Sequence, residues 1–198
     1  GIREAQESRG LGDVYKRQAS GRVFSAVIGA SFGCPFEGEI TTEAVVNIGV
    51  RLGALGVDEI LLADTIGCAV PSEVRERVEA LQSVLEDSTA VGCHFHNTRN
   101  TGIANAVAAV EAGVRILDAS VGGIGGCPFA PRATGNISTE DLVYVLRNMG
   151  YETSIDLPQL IDVATWVEDY FDDPLPGQVM KAGLFPDDVI AGQKTASV

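Results

Sequence analysis

Gly92-Cys-His-Phe-His-Asn-Thr-Arg-Asn-Thr-Gly102 places two imidazoles two residues apart in an apolar run that reads as a strand. Side chains at i and i+2 of a strand share one face, so His94 and His96 can converge on a single ion. They are the only two histidines in the chain. A polar Asn-Thr-Arg-Asn loop follows, then an amphipathic helix from about Gly102 to Ala112 in which Ala104, Val107, Ala108 and Glu111 separate the faces. The pair is therefore expected at the C-terminal end of a strand in a βα unit, where α/β proteins keep their chemistry. His-x-His arises by chance in many chains, so its company matters. The segments Asp118 to Pro131 and Thr134 to Asp141 each start where a strand-like run ends or a helix is about to begin, and they supply Cys127 and Asn136.

Working outward, short apolar strands alternate with helical patterns. Strands are expected at Val23–Ala30, Glu59–Ala63, Ala90–Phe95 and Arg115–Ala119, with a fifth around Ala133–Ile137. Helices are expected from about Thr42 to Leu55, capped by Thr41 or Thr42, from Pro71 to about Leu85, and from Ser138 to near Gly150. A last helix runs from about Pro158 to Tyr170, and a Pro- and Gly-rich tail begins at Asp172. Regular βα alternation implies a parallel sheet with helical crossovers. Gly56-Val-Asp-Glu-Ile60 and Gly113-Val-Arg-Ile-Leu117 read as equivalent helix-to-strand turns, as a barrel of similar units would give. A closed eight-unit barrel takes about 250 residues. The 198 residues present accommodate about five units, so the expected fold is α/β, a partial TIM (β/α)8 barrel with a C-terminal helix and without its N-terminal units. Residues 1–18 show neither strand alternation nor a helical stripe and are expected to be a non-native or disordered leader. Residues 19–198 are expected to form the C-terminal part of the barrel domain.

Composition narrows the function. A net charge of -13 argues against a nucleic-acid or anionic-membrane partner, both of which need clustered Lys and Arg. Small anionic substrates remain open, because local cations such as Arg99 and Arg132 can hold them. No apolar run approaches the roughly 20 residues that span a bilayer, no secretory pattern opens the chain, and the default compartment is the cytoplasm. The cysteines at 34, 68, 93 and 127 form no CxxC pair, which favours a reduced chain.

Five motifs, Phe32-Gly-Cys-Pro-Phe-Glu-Gly38, Ala63-Asp-Thr-Ile-Gly67, His94-Phe-His-Asn-Thr98, Gly122-Gly-Ile-Gly-Gly-Cys-Pro-Phe-Ala130 and Thr134-Gly-Asn-Ile-Ser-Thr-Glu-Asp-Leu142, follow in order over about residues 19–186. Together they resemble the 3-hydroxy-3-methylglutaryl-CoA (HMG-CoA) lyases, metal-dependent enzymes of a TIM-barrel superfamily that also contains Claisen synthases and aldolases. His-x-His would fit the whole superfamily. The Gly-Gly-Cys-Pro-Phe-Ala loop and its following Thr-Gly-Asn are specific to the lyases.

The resemblance implies that His94, His96 and Asn136 bind Mg²⁺ or Mn²⁺, with a fourth ligand, an Asp beside an Arg, on a first barrel strand that this chain lacks. It implies that Cys127 is an acid/base thiol, carried on a loop whose glycines, Gly125 and Gly126 among them, let it move over the site. Asp64 and Thr65 would stand beside substrate or metal, against an equally weighted reading as a cap for the next turn. Asn97 replaces the Asp of many relatives, and Asn100 replaces a common Gly. The implied partner is a small acyl-CoA, with a homodimer open to the full-length form. The implied reaction is a retro-Claisen cleavage of HMG-CoA to acetyl-CoA and acetoacetate. The alternatives are a Claisen synthase or aldolase of the same superfamily, or a non-catalytic fragment whose unpaired sheet edges invite association.

Overall fold

A computed structural model describes residues 21–126 and 135–185. Four strands, β1 (Ser25–Ile28), β2 (Glu59–Asp64), β3 (Ala90–Phe95) and β4 (Ile116–Asp118), form one sheet in the order β1-β2-β3-β4. Every neighbouring pair is parallel. The helices are α1 (Thr42–Ala54), α2 (Pro71–Gln82), α3 (Gly102–Glu111), α4 (Thr139–Asn148), α5 (Leu157–Phe171) and the short α6 (Val179–Ala182), with a 3₁₀ turn at Val121–Gly123. Sequential parallel strands joined by helices are the arrangement of a partial (β/α)8 barrel. No helix among the described residues is long and apolar enough to cross a membrane.

The local signals act where the sequence puts them. Thr41 Oγ1 accepts from Ala44 N at 3.2 Å and starts α1. Pro71 opens α2, and Glu73 reaches back to the backbone N–H of Val70. Asp156 caps α5 through Gln159 N at 3.1 Å. Gly56 and Gly113 occupy the two equivalent turns, both at positive φ (71° and 98°).

One face of the sheet carries the core: Ile60, Leu62, Val91, Cys93 and Phe95 pack against Val45 of α1, Val74, Val78 and Leu81 of α2, and Ala106 and Ala109 of α3. The close approach of α1 to α2 depends on Gly49, where an added Cβ would stand 2.2 Å from Leu81 Cδ1. Gly→Ala normally stabilises a helix interior by roughly 0.5–1 kcal/mol. Here the overpacking reverses the sign, and Gly49→Ala is expected to lower unfolding stability by about 1–3 kcal/mol in urea titration. A stabilised variant would show that the interface has room.

The other face carries Val27, Leu61, Gly92 and Ile116 in one cross-strand row and Ala63, His94 and Asp118 in the next. Parallel sheets normally bury both faces, yet Val27 is 62% exposed on this one. Among the described residues the segment expected as a fifth strand is not one. Residues 133 and 134 lie outside the described range, and beyond them Asn136 pairs singly with His96 and Ser138 singly with Ser120. The physical reason lies in its bonds, which go to Phe95 at the end of β3, to Asn97 just past it and to Ser120 after β4. The segment thus lies across the C-terminal rim of the sheet and does not extend it beyond β4. The leader expected at 1–18 also lies outside the described residues.

Candidate functional site

β3 delivers His94 to the open face, and His96 follows one residue beyond the strand end. The ring centroids are 5.1 Å apart with planes at 67°. His94 stands beside Asp118 of β4 in the sheet register, and its Nδ1 contacts Asp118 Oδ1. With Nδ1 engaged, Nε2 is the nitrogen left for a ligand. His96 is buried, and its Nδ1 has no hydrogen-bond partner. Burial first, then the neighbouring His94, pulls the His96 pKa below its ordinary 6.5, against the opposing pull of Asp64 and Asp118. A neutral imidazole with an available lone pair is the form a cation binds.

Asn136 comes to the same rim. The bonds from Asn97 N to Gly135 O and from Ile137 N to Phe95 O, both 3.1 Å, flank its pairing with His96. That pattern defines a non-hydrogen-bonded antiparallel pair, the kind in which opposed side chains approach most closely. Asn136 Nδ2 donates to Ile124 O at 3.1 Å, so the amide oxygen is the end left to meet a cation. Among the described residues no three His, Cys, Asp or Glu side chains converge on a metal position by themselves. Two imidazoles and a carboxamide are nonetheless a donor set that fits a divalent cation, and the partnerless buried Nδ1 of His96 agrees with that fit.

Asp64 is fully buried and accepts from the backbone N–H groups of Cys68 (2.8 Å) and Ala69 (3.1 Å). Burial raises its pKa above the ordinary 3.8, and those two bonds oppose the rise. Thr65 Oγ1 accepts from Ala30 N at 2.8 Å. Asp64 thus caps the turn that follows β2, and Thr65 ties that loop to the chain after β1. Gly125 has φ 144°, and a Cβ there would fall 2.5 Å from Asn136 Nδ2, so the chain passes against that amide only as glycine. Gly126 is exposed, and Cys127 and Arg132 lie outside the described residues.

Burial pushes Cys68 up to about 11 and Cys93 up to about 12, and Cys34 lies in a two-bond hairpin with Gly38. Arg99 donates to the carbonyls of Ile66 and Gly67 at 3.0 and 2.9 Å, tying the β3–α3 loop to the β2–α2 loop. Asn97 Oδ1 accepts from Gly102 N at 3.1 Å, a bond that Asp would also make. Asn100 adopts φ 57°, the left-handed region that Asn tolerates better than most residues.

Two acidic residues of the site escape a reading of the sequence. Asp118 ends β4 as Asp64 ends β2, and that shared strand-end position was the available signal. Glu140 reads as an ordinary first-turn helix acid, yet it is fully buried, and desolvation raises its pKa above 4.5.

The HMGL-like family profile matches residues 14–167. The chain belongs to the HMGL-like family. Relatives include an (R)-citramalyl-CoA lyase of Chloroflexus aurantiacus, 49% identical over 82% of this chain and 51% of its own length. The hydroxymethylglutaryl-CoA lyase YngG of Bacillus subtilis is 38% identical over 84% and 54%. The chain thus spans about half the length of these curated HMGL-like relatives. Among solved structures, an HMG-CoA lyase of A. baumannii in complex with coenzyme A and 3-methylmalate superposes with a TM-score of 0.81 at 40% identity, covering 89% of this chain and 57% of the other. The HMGL-like assignment and the partial barrel therefore agree.

Proposed function

We propose that this chain carries the metal-holding and proton-transferring part of a carbon–carbon lyase that cleaves HMG-CoA to acetyl-CoA and acetoacetate by a retro-Claisen reaction. The observation that carries the reading is the meeting of His94, His96 and Asn136 on one rim of an HMGL-like sheet. In the reaction the tertiary hydroxyl loses its proton, the adjacent C–C bond breaks, and the acetyl-CoA enolate carbon gains a proton. Mg²⁺ or Mn²⁺ held by His94, His96 and Asn136 would polarise that hydroxyl and a neighbouring oxygen. Asp118 keeps the His94 ring turned with Nε2 outward, and burial favours the neutral form of His96. Cys127 supplies the acid/base thiol. A cytoplasmic location and a homodimer of the full-length form are part of the same proposal.

Citramalyl-CoA is the second candidate substrate, favoured by the 49% identity to a lyase of that name. The two thioesters share a tertiary alcohol placed β to the thioester carbonyl, so the same groups serve both.

The test is acetyl-CoA release from each thioester with Mg²⁺ or Mn²⁺. The chain completed with the preceding half-barrel of a relative is expected to cleave at least one of them. The 198-residue chain by itself is expected to show little turnover, because the resemblance implies an Asp and an Arg on a further barrel strand that complete the site. Failure of the completed form on both substrates overturns the lyase reading, and robust turnover by the chain alone overturns the need for the added strands. Asp118→Asn is expected to weaken Mn²⁺ binding by about 10–100-fold, the usual cost of losing the partner that orients a ligating histidine. Unchanged affinity would remove Asp118 from that role.

A further inference from the structure

The two acidic residues at the start of α4 divide their work. Asp141 accepts from the backbone N–H groups of Gln178 and Val179, at 3.0 and 2.6 Å, and so docks the start of α6. Glu140 faces the other way. Its Oε2 accepts from the buried N–H of Gly122 at 3.1 Å, while its Oε1 is buried with no donor. Gly177 N in turn donates to Gly122 O at 2.9 Å, so Gly122 is gripped at both its N–H and its carbonyl. A helix start is satisfied by a solvated Glu, because the dipole attracts the charge from the surface. Burying that carboxylate with one oxygen unpaired costs stability, which its bond to the Glu140 backbone N–H in the first turn of α4 offsets only in part.

What the burial does is hold a turn. Gly122 and Gly123 lie at φ 64° and 73°, and Ile124 N closes the 3₁₀ turn onto Val121 O at 3.2 Å. The Ile124 carbonyl that emerges accepts from Ser120 Oγ at 2.6 Å and from Asn136 Nδ2 at 3.1 Å. The returning segment is wedged against the same turn: a Cβ on Gly135 would stand 2.0 Å from Gly123 O. The path from Glu140 to the Asn136 amide therefore runs through one backbone turn.

We propose that Glu140 is a positioning residue for Asn136: it anchors the Gly122–Ile124 turn whose last carbonyl holds the Asn136 amide, and so sets where the amide oxygen is presented. The proposal rests on the reading of Asn136 as a cation ligand.

The test uses the 198-residue chain, peptide-resolved hydrogen exchange over residues 120–126, and Mn²⁺ affinity from the free-Mn²⁺ paramagnetic resonance signal. Glu140→Ala should speed exchange at Gly122 and its neighbours about tenfold or more and weaken Mn²⁺ binding by about tenfold. Glu140→Gln keeps an acceptor for the Gly122 N–H and should restore both. Should Glu140→Ala fail to fold, Gly177→Ala is the substitute, since its Cβ would come within 2.4 Å of Glu140 Oε1 and displace the carboxylate from the far side. Exchange that does not change overturns the anchor. Faster exchange with unchanged Mn²⁺ affinity, while His94→Ala loses Mn²⁺, overturns the positioning role and leaves the metal reading standing. If His94→Ala binds Mn²⁺ as well as the unsubstituted chain does, the metal reading itself fails and this proposal falls with it.

Discussion

His94→Ala is expected to remove Mn²⁺ binding and turnover together. The imidazole is one of only two on the rim, so its loss leaves His96 and a carboxamide, a set too weak to fix a hard cation with exchangeable positions. The affinity loss should exceed the about 10–100-fold expected for Asp118→Asn, since a donor disappears and not just its orientation. Calorimetric titration with Mn²⁺ measures the first effect on the chain as it stands, and acetyl-CoA release by the completed barrel measures the second. His94→Ala should leave the fold intact, because the side chain projects from the face opposite the core of Val91, Cys93 and Phe95. A variant that keeps its Mn²⁺ affinity while folded would remove the pair from the metal site.

Cys127→Ser should separate what His94→Ala couples. A thiol that moves a proton is not a ligand, so Mn²⁺ affinity should hold while turnover in the completed barrel falls by about 10²–10⁴-fold, the range that general acid–base catalysis contributes. Serine keeps the size but is a far weaker acid. The deficit should therefore appear in kcat with KM little changed, and the limb of the pH–rate profile that reports the thiol should disappear. Turnover that survives the change would show that another group protonates the enolate, and a parallel loss of Mn²⁺ would make Cys127 a ligand. Cys68 and Cys93 offer no substitute. Burial holds both thiols protonated, near about 11 and about 12.

Much of the fold was legible because its signals are local. Strand period, helix caps and the paired Gly turns locate β1 to β4 and α1 to α5 to within a few residues, and the short α6 was hidden in a tail that reads as Pro- and Gly-rich. Asp64 and Thr65 were left between two roles by their sequence alone. In the structure Asp64 accepts from Cys68 and Ala69 within its own loop, whereas the bond from Ala30 N to Thr65 depends on how two βα loops lie against each other. Of the fifth strand expected around Ala133–Ile137, the described residues Gly135 to Ile137 bond across the rim to Asn97 and Phe95, a placement that Gly-Asn-Ile does not announce in the sequence.

The sequence by itself determined that His94 and His96 share a face, because a strand's period of two needs no partner to enforce it. It also determined the family, through motifs whose order survives without coordinates. Only the tertiary structure decided that Asp118, 24 residues from His94, stands beside it, that Asn136 faces His96, and that Glu140 lies under Gly122. Those placements follow from sheet register and from the packing of α4 beneath the rim. Both are set by through-space contacts among segments far apart in the chain, and the residues themselves carry no local mark of them.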